Sequence, residues 1–119
     1  MKTVLVVDDE FDLTSTVRAI LEGEGYRVEV CANGREALER LKAARPDLVL
    51  LDVMLPVVDG YGVLREIRQS AELADVPVVL MNSFPPKRDG SGDWQGFLRK
   101  PFTLGTLLDA VRQAVPAAT

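Results

Sequence analysis

Thr3-Val4-Leu5-Val6-Val7 is a short, β-branched-rich apolar run with two acids, Asp8 and Asp9, directly behind it. A strand with one wet face alternates polar and apolar residues, whereas a strand covered on both faces reads as a continuous apolar run, the pattern of parallel strands. Asp47-Leu48-Val49-Leu50-Leu51 and Val76-Pro77-Val78-Val79-Leu80-Met81 have the same character and read as further central strands. Tyr26-Arg27-Val28-Glu29-Val30-Cys31 alternates, as a strand with a wetter side would, and Gly96-Phe97-Leu98-Arg99 supplies a fifth short candidate.

Helical periodicity fills the gaps. Leu13, Val17, Ile20 and Leu21 recur at helical spacing, with Gly23 and Gly25 as a stop. Asn33 is placed to cap a second helix carrying Ala37, Leu38 and Leu41 inward, with Pro46 ending the connection. A third follows Gly60 with Leu64 and Ile67 inward, and a last one follows Thr103 with Leu104, Leu107, Leu108, Val111 and Val115 inward. Alternating strand and helix specifies right-handed crossovers and a three-layer, doubly wound α/β fold. One stretch breaks the pattern. From Asn82 to Gln95 the chain reads N-S-F-P-P-K-R-D-G-S-G-D-W-Q, too rich in proline and glycine for a regular amphipathic helix. The fourth helix is therefore expected to be missing or vestigial.

Composition narrows the function. With 119 residues and 47% hydrophobic content the chain can bury one core, so residues 1–119 are expected to form a single domain. A formal charge of -4 with no basic stripe opposes nucleic-acid binding. No segment approaches membrane-spanning length, and nothing resembles a signal peptide. The lone cysteine, Cys31, forms no internal disulfide and reads as a small buried hydrophobe, so a reducing cytoplasm is the expected location. The absence of histidine removes His-based metal sites, Ser-His-Asp and Cys-His catalysis, and a phosphohistidine on this chain.

Open parallel sheets place ligands at the carboxyl ends of their strands. Asp8 and Asp9 follow the first strand, Asp52 the third, Asn82 and Ser83 the fourth, and Lys100 the fifth. If the strand order is 2-1-3-4-5, these four strands are adjacent and their polar groups meet in one cleft. Two carboxylates about 4 Å apart at an effective dielectric near 20 repel by roughly 4 kcal/mol, so the cleft calls for a cation. An all-oxygen donor set suits magnesium, and Lys100 adds a further positive charge. Metal and ammonium beside one carboxylate are what phosphoryl transfer needs, which makes Asp52 the candidate nucleophile. Each acid has a plainer reading, because Asp favours turns and helix caps; for Glu10 an acidic helix start favoured by the helix dipole is preferred.

Over nearly its whole length the chain resembles the receiver domains of two-component response regulators. V-V-D-D-E at 6 to 10, L-L-D-V-M-L-P-V-V-D-G at 50 to 60 and R-K-P-F at 99 to 102 carry the resemblance. It implies a flavodoxin-like five-stranded sheet of order 2-1-3-4-5. It implies Asp52 as phosphoacceptor, and magnesium held by Asp9, Asp52 and the main-chain carbonyl of Met54 with help from Asp8. Lys100 would contact the phosphoryl group and form a cis peptide with Pro101. Phe97 falls at the family's aromatic switch position, although it also reads as an ordinary core phenylalanine. The partners implied are a histidine kinase or phosphotransfer protein upstream and a protein target downstream. The family places Thr or Ser where this chain has Asn82; the amide can donate through its NH2, and Ser83 stands next to it. Met54 and Phe84 flank the acceptor and are both apolar, so slow self-dephosphorylation is expected.

The competing reading is a pseudo-receiver, a phosphorylation-independent protein-binding module, motivated by Asn82 and the degenerate fourth crossover. A flavodoxin-like cofactor carrier fits the sheet, but Asp8 and Asp9 would repel a phosphate. A haloacid-dehalogenase-type phosphatase would want a second Asp where Met54 stands.

Overall fold

The computed structural model describes residues 1–115. The elements run β1 (Thr3–Val7), α1 (Phe11–Gly23), β2 (Arg27–Cys31), α2 (Gly34–Ala43), β3 (Leu48–Asp52), α3 (Gly60–Gln69), β4 (Val78–Asn82), β5 (Gly96–Arg99) and α4 (Leu104–Ala114). All five strands are parallel, in the order β2-β1-β3-β4-β5. This is the flavodoxin-like order expected, and among the described residues no helix lies between β4 and β5.

The continuous apolar runs are explained by the two cores they feed. Successive side chains leave a strand on opposite faces. Leu5, Val7, Val49, Leu51, Val78 and Leu80 pack on one face under Ala37 and Leu41 of α2 and Val63, Leu64 and Ile67 of α3. Val4, Val6, Leu48, Leu50, Val79 and Met81 pack on the other under Val17 and Leu21 of α1 and Leu107 and Val111 of α4. Cys31 is fully buried among the first set, and burial pushes its thiol up to about 11, which leaves it an inert packing group.

The helix starts follow local chemistry. Asn33, Asp59 and Thr103 each accept a hydrogen bond from the backbone N–H three residues on, satisfying a donor that the first turn leaves free. Gly25, at φ 94, occupies the left-handed region just past α1, as the expected stop requires.

Several boundaries and one inward assignment differ from the sequence reading. β3 runs one residue further than its apolar core, because Asp52 still pairs with Met81; the acid ends the strand instead of following it. Asn82 likewise closes β4 opposite Arg99. β4 starts at Val78, since Pro77 has no N–H to offer the ladder, although its carbonyl still accepts from Val49. Tyr26 lies outside β2 and packs in the α1/α4-side core. Leu104 is not inward: it is 55% exposed in the first turn of α4, lining an open groove with Leu13, Ile20 and Phe102. Leu13, Ile20, Leu38 and Leu108 are half-buried at the margins of the cores.

Candidate functional site

The carboxyl ends of β1, β3, β4 and β5 meet as the strand order requires. Asp8 and Asp52 are buried, Asp9 is exposed, and one carboxylate oxygen from each of the three lies within 4.8 Å of the others. Asp8 Oδ1 is held from within its own turn by the Glu10 N–H at 2.9 Å. The Met54 N–H donates to Asp52 Oδ1 at 3.3 Å, so the segment after β3 orients the acid it follows.

Lys100 reaches into this cluster from the end of β5, along a cis Lys100–Pro101 peptide. Its Nζ lies 2.7 Å from Asp8 Oδ2, 2.9 Å from Glu10 Oε1 and 3.4 Å from Asp52 Oδ2. Burial opposes the charge of the ammonium, but Asp8, Glu10 and Asp52 together outweigh that and raise its pKa further. The compensation is incomplete. Burial first, and the Asp8 charge second, push the Asp52 carboxyl up to about 6 against the opposing pull of Lys100 and the Met54 N–H.

Asp8 Oδ2 is the sharpest feature. It is fully buried, and it meets the Lys100 ammonium at 2.7 Å. Three carboxylate oxygens within 4.8 Å of one another, two of them from buried acids, form an all-oxygen donor set whose excess negative charge fits a hard divalent cation.

Asn82 and Ser83 are both at the rim but face different clefts. Asn82 is half-buried and lines a cavity with Val53, Met54 and Phe84, while exposed Ser83 lines another with Glu10, Lys100 and Pro101. Met54 and Phe84 are 72% and 71% exposed. Phe97 is half-buried, opposite Leu80 in the sheet and packed against the α2/α3-side core.

Glu10 lies at the start of α1, as the sequence reading has it, but its side chain has a partner that reading did not foresee. It stands at the N-cap of α1 without capping through its side chain, and that side chain instead binds an ammonium ninety residues away. Tyr61 and Lys87 also line the Asn82 cavity, and neither carried a signal in the sequence.

The response regulator receiver domain family model matches residues 4–112. Among curated proteins the chain is 35% identical over 123 residues to response regulator MprA of Mycolicibacterium vanbaalenii, covering 98% of this chain and 51% of that protein. It spans about half the length of several such relatives. Among solved structures, chemotaxis response regulator CheY4 of Vibrio cholerae superposes with a TM-score of 0.89 at 32% identity, covering 97% of this chain and 99% of that one. Response regulator TrrA of Thermotoga maritima, in complex with Mg(2+)-BeF, gives 0.86 at 32% identity over 97% of this chain and all of that one. With the family model spanning residues 4–112 and the sheet order and acidic pocket in place, the chain belongs to the receiver-domain family of response regulators.

Proposed function

We propose that residues 1–119 act as one receiver domain, a phosphorylation-dependent switch in which Asp52 takes a phosphoryl group from a histidine kinase or phosphotransfer protein. The observation that carries this reading is the meeting of Asp8, Asp9 and Asp52 within 4.8 Å, beside an ammonium 3.4 Å from Asp52. Asp52 is the nucleophile: a bond forms between its carboxylate oxygen and phosphorus as the donor's bond to phosphorus breaks, the electron pair leaving with the donor. Lys100, already between Asp8, Glu10 and Asp52, neutralises the phosphoryl oxygens that arrive. Asp8, Asp9, Asp52 and the Met54 carbonyl are the groups to hold magnesium. Once bound, the ion supplies positive charge that relieves the repulsion among the acids and steadies the transferring group. TrrA, similar in fold and in sequence, is known in complex with Mg(2+)-BeF, which supports the same ion here.

Asn82 and Ser83 are the candidates to donate a hydrogen bond to the phosphoryl group, the amide from one cleft and the hydroxyl from the other. Phe97 is the candidate ring to change rotamer in response. The chemistry serves signalling, since the protein promotes only its own phosphorylation and dephosphorylation. A downstream protein reads the result. No described helix is long and apolar enough to cross a membrane, and the reading places the domain in the cytoplasm.

The test is intact mass after treatment with acetyl phosphate and magnesium. The wild type should gain one phosphoryl group and Asp52→Asn none; an unmodified wild type would sink the proposal. A second reading, a phosphorylation-independent binding module, is favoured by the amide at Asn82 and the absence of a helix between β4 and β5. Magnesium-dependent binding of beryllofluoride that vanishes in Asp52→Asn decides against it.

A further inference from the structure

Where a helix would cross between β4 and β5, the chain forms a strap pinned to α3. Tyr61, Arg65 and Arg68 lie at i, i+4 and i+7, on one face of that helix. The Tyr61 hydroxyl accepts from the Lys87 N–H at 2.7 Å, and Arg65 donates to the buried Ser91 hydroxyl at 3.0 Å. Arg68 donates to the Asp93 carbonyl and to Gln95 Oε1, each at 2.9 Å. The strap is thus fixed at both ends, and its first half walls a cavity of about 370 Å³ lined by Met54, Asn82, Phe84 and Lys87.

Three facts bear on what this cavity takes. It adjoins the phosphoacceptor segment, because Val53 and Met54 line it and the Met54 N–H bonds Asp52. Its exposed walls, Met54 and Phe84, are apolar. Its one cationic lining residue is Lys87, whose ammonium has no ion-pair partner among the described residues, whereas Lys100 is already shared by three acids.

A phosphoryl donor carries negative charge on its phosphoryl oxygens. At Asp52 the positive charge of Lys100, and of the ion the acids would hold, is engaged by Asp8, Asp9, Glu10 and Asp52, so the uncommitted cation in the adjoining cavity is Lys87. We infer that the cavity is a phosphodonor-binding subsite, in which Lys87 draws the anionic phosphoryl end of a small donor to Asp52 while Met54 and Phe84 flank the rest of it. The inference rests on the reading of Asp52 as acceptor. With acetyl phosphate the Asp52 oxygen–phosphorus bond forms, the bond from phosphorus to the acetyl oxygen breaks, and the electron pair leaves as acetate. Phosphoramidate reacts as its N-protonated form: the Asp52 oxygen–phosphorus bond forms, the phosphorus–nitrogen bond breaks, and its electron pair leaves on nitrogen as neutral ammonia.

The experiment follows the initial rate of phosphorylation by intact mass, with magnesium, against the concentration of each donor. The variants are Lys87→Gln and Lys87→Arg; both keep the backbone N–H that Tyr61 binds, and a thermal midpoint confirms that each is folded. Lys87→Gln should raise the donor concentration for half-maximal rate by about three- to fivefold for both donors, the scale of a partly exposed charge contact, with the maximal rate unchanged. Lys87→Arg should restore it, and added salt should erode the difference. An unchanged concentration dependence, a loss confined to the maximal rate, or an effect on acetyl phosphate alone overturns the role of Lys87. A wild type labelled by neither donor overturns the phosphoacceptor reading as well, which separates the two failures.

Discussion

Replacing Asp52 with Asn should make the metal-free protein more stable at neutral pH, although it removes a charged neighbour of Lys100. Asp52 is 3% exposed, and its carboxyl is raised from 3.8 to about 6 by burial and by Asp8, even after the help of Lys100 is counted. At about 1.4 kcal/mol per pH unit, ionising it in the folded chain costs about 3 kcal/mol relative to the unfolded one. The sign follows from the raised value. Below the unfolded pKa the acid is neutral in both states and costs nothing. The cost then grows as pH rises from about 4 to about 6, and is complete above that. Asn stands in for the neutral acid and should recover most of the cost.

The assay is urea unfolding in chelator at about pH 8 and about pH 3.5, for wild type and variant. At the higher pH the variant should be more stable by about 1 to 3 kcal/mol; at the lower the two should agree. Adding magnesium at about a thousand times its Kd should reverse the order, because ligation of the folded state then stabilises wild type by about 4 kcal/mol, and the variant lacks the key ligand. A variant no more stable near pH 8, or a gain that persists undiminished near pH 3.5, would refute the claim that Asp52 is held as an undercompensated buried charge.

Four further outcomes are expected. Val57 sits at φ 72 with its side chain 70% exposed, so Val57→Gly should raise stability by about 1 kcal/mol in urea unfolding, the strain relieved exceeding the added freedom of the unfolded chain. A Cβ at Gly60 would run into the Asp52 carbonyl and lie 2.7 Å from Val53 Cα, so Gly60→Ala should cost about 2 kcal/mol and slow phosphorylation, while Gly23→Ala, facing open space, should not destabilise. Arg68→Leu removes the donor to Ala74, Val76, Asp93 and Gln95 and should cost about 3 kcal/mol, with hydrogen exchange accelerating across residues 83–95. Because neither Met54 nor Phe84 can orient a water, phosphorylated protein freed of donor should keep its label for much longer than seconds, as intact mass would show.

The sheet was legible because burial on both faces leaves a mark that needs no partner to interpret: Val4 to Val7 and Leu48 to Leu51 are apolar at every position, and each feeds the two cores alternately. The positions of Asp8, Asp52 and Asn82 were legible for the same reason, as the first polar residues where each run stops, and Lys100 as the residue directly behind the fifth strand. Glu10 was not. An acid at a helix start satisfies the dipole whatever else it does, and only the return of β5 beside β4 reveals that its side chain meets Lys100. Leu104 misled because periodicity reports the stripe and not how far along it the neighbouring elements extend.

The strap shows a different kind of blindness, and its physics bounds what the missing helix can have changed. Proline and glycine between Phe84 and Gly92 announced that no helix would form, but an extended segment has no period of its own, so its anchors lie on another element. α3 carries them. Val63, Leu64 and Ile67 face the sheet, while Tyr61, Arg65 and Arg68 face the strap, so one helix covers the core and satisfies the loop beside it. Gln95 closes the account by accepting from the Val78 N–H at 2.7 Å and from Arg68. The backbone left by the absent helix is therefore tied down from below, and β5 still pairs with β4 from Gly96 to Arg99. That pairing sets Lys100 against Asp8 and Asp52, which is why the acidic cleft forms without a helix between β4 and β5.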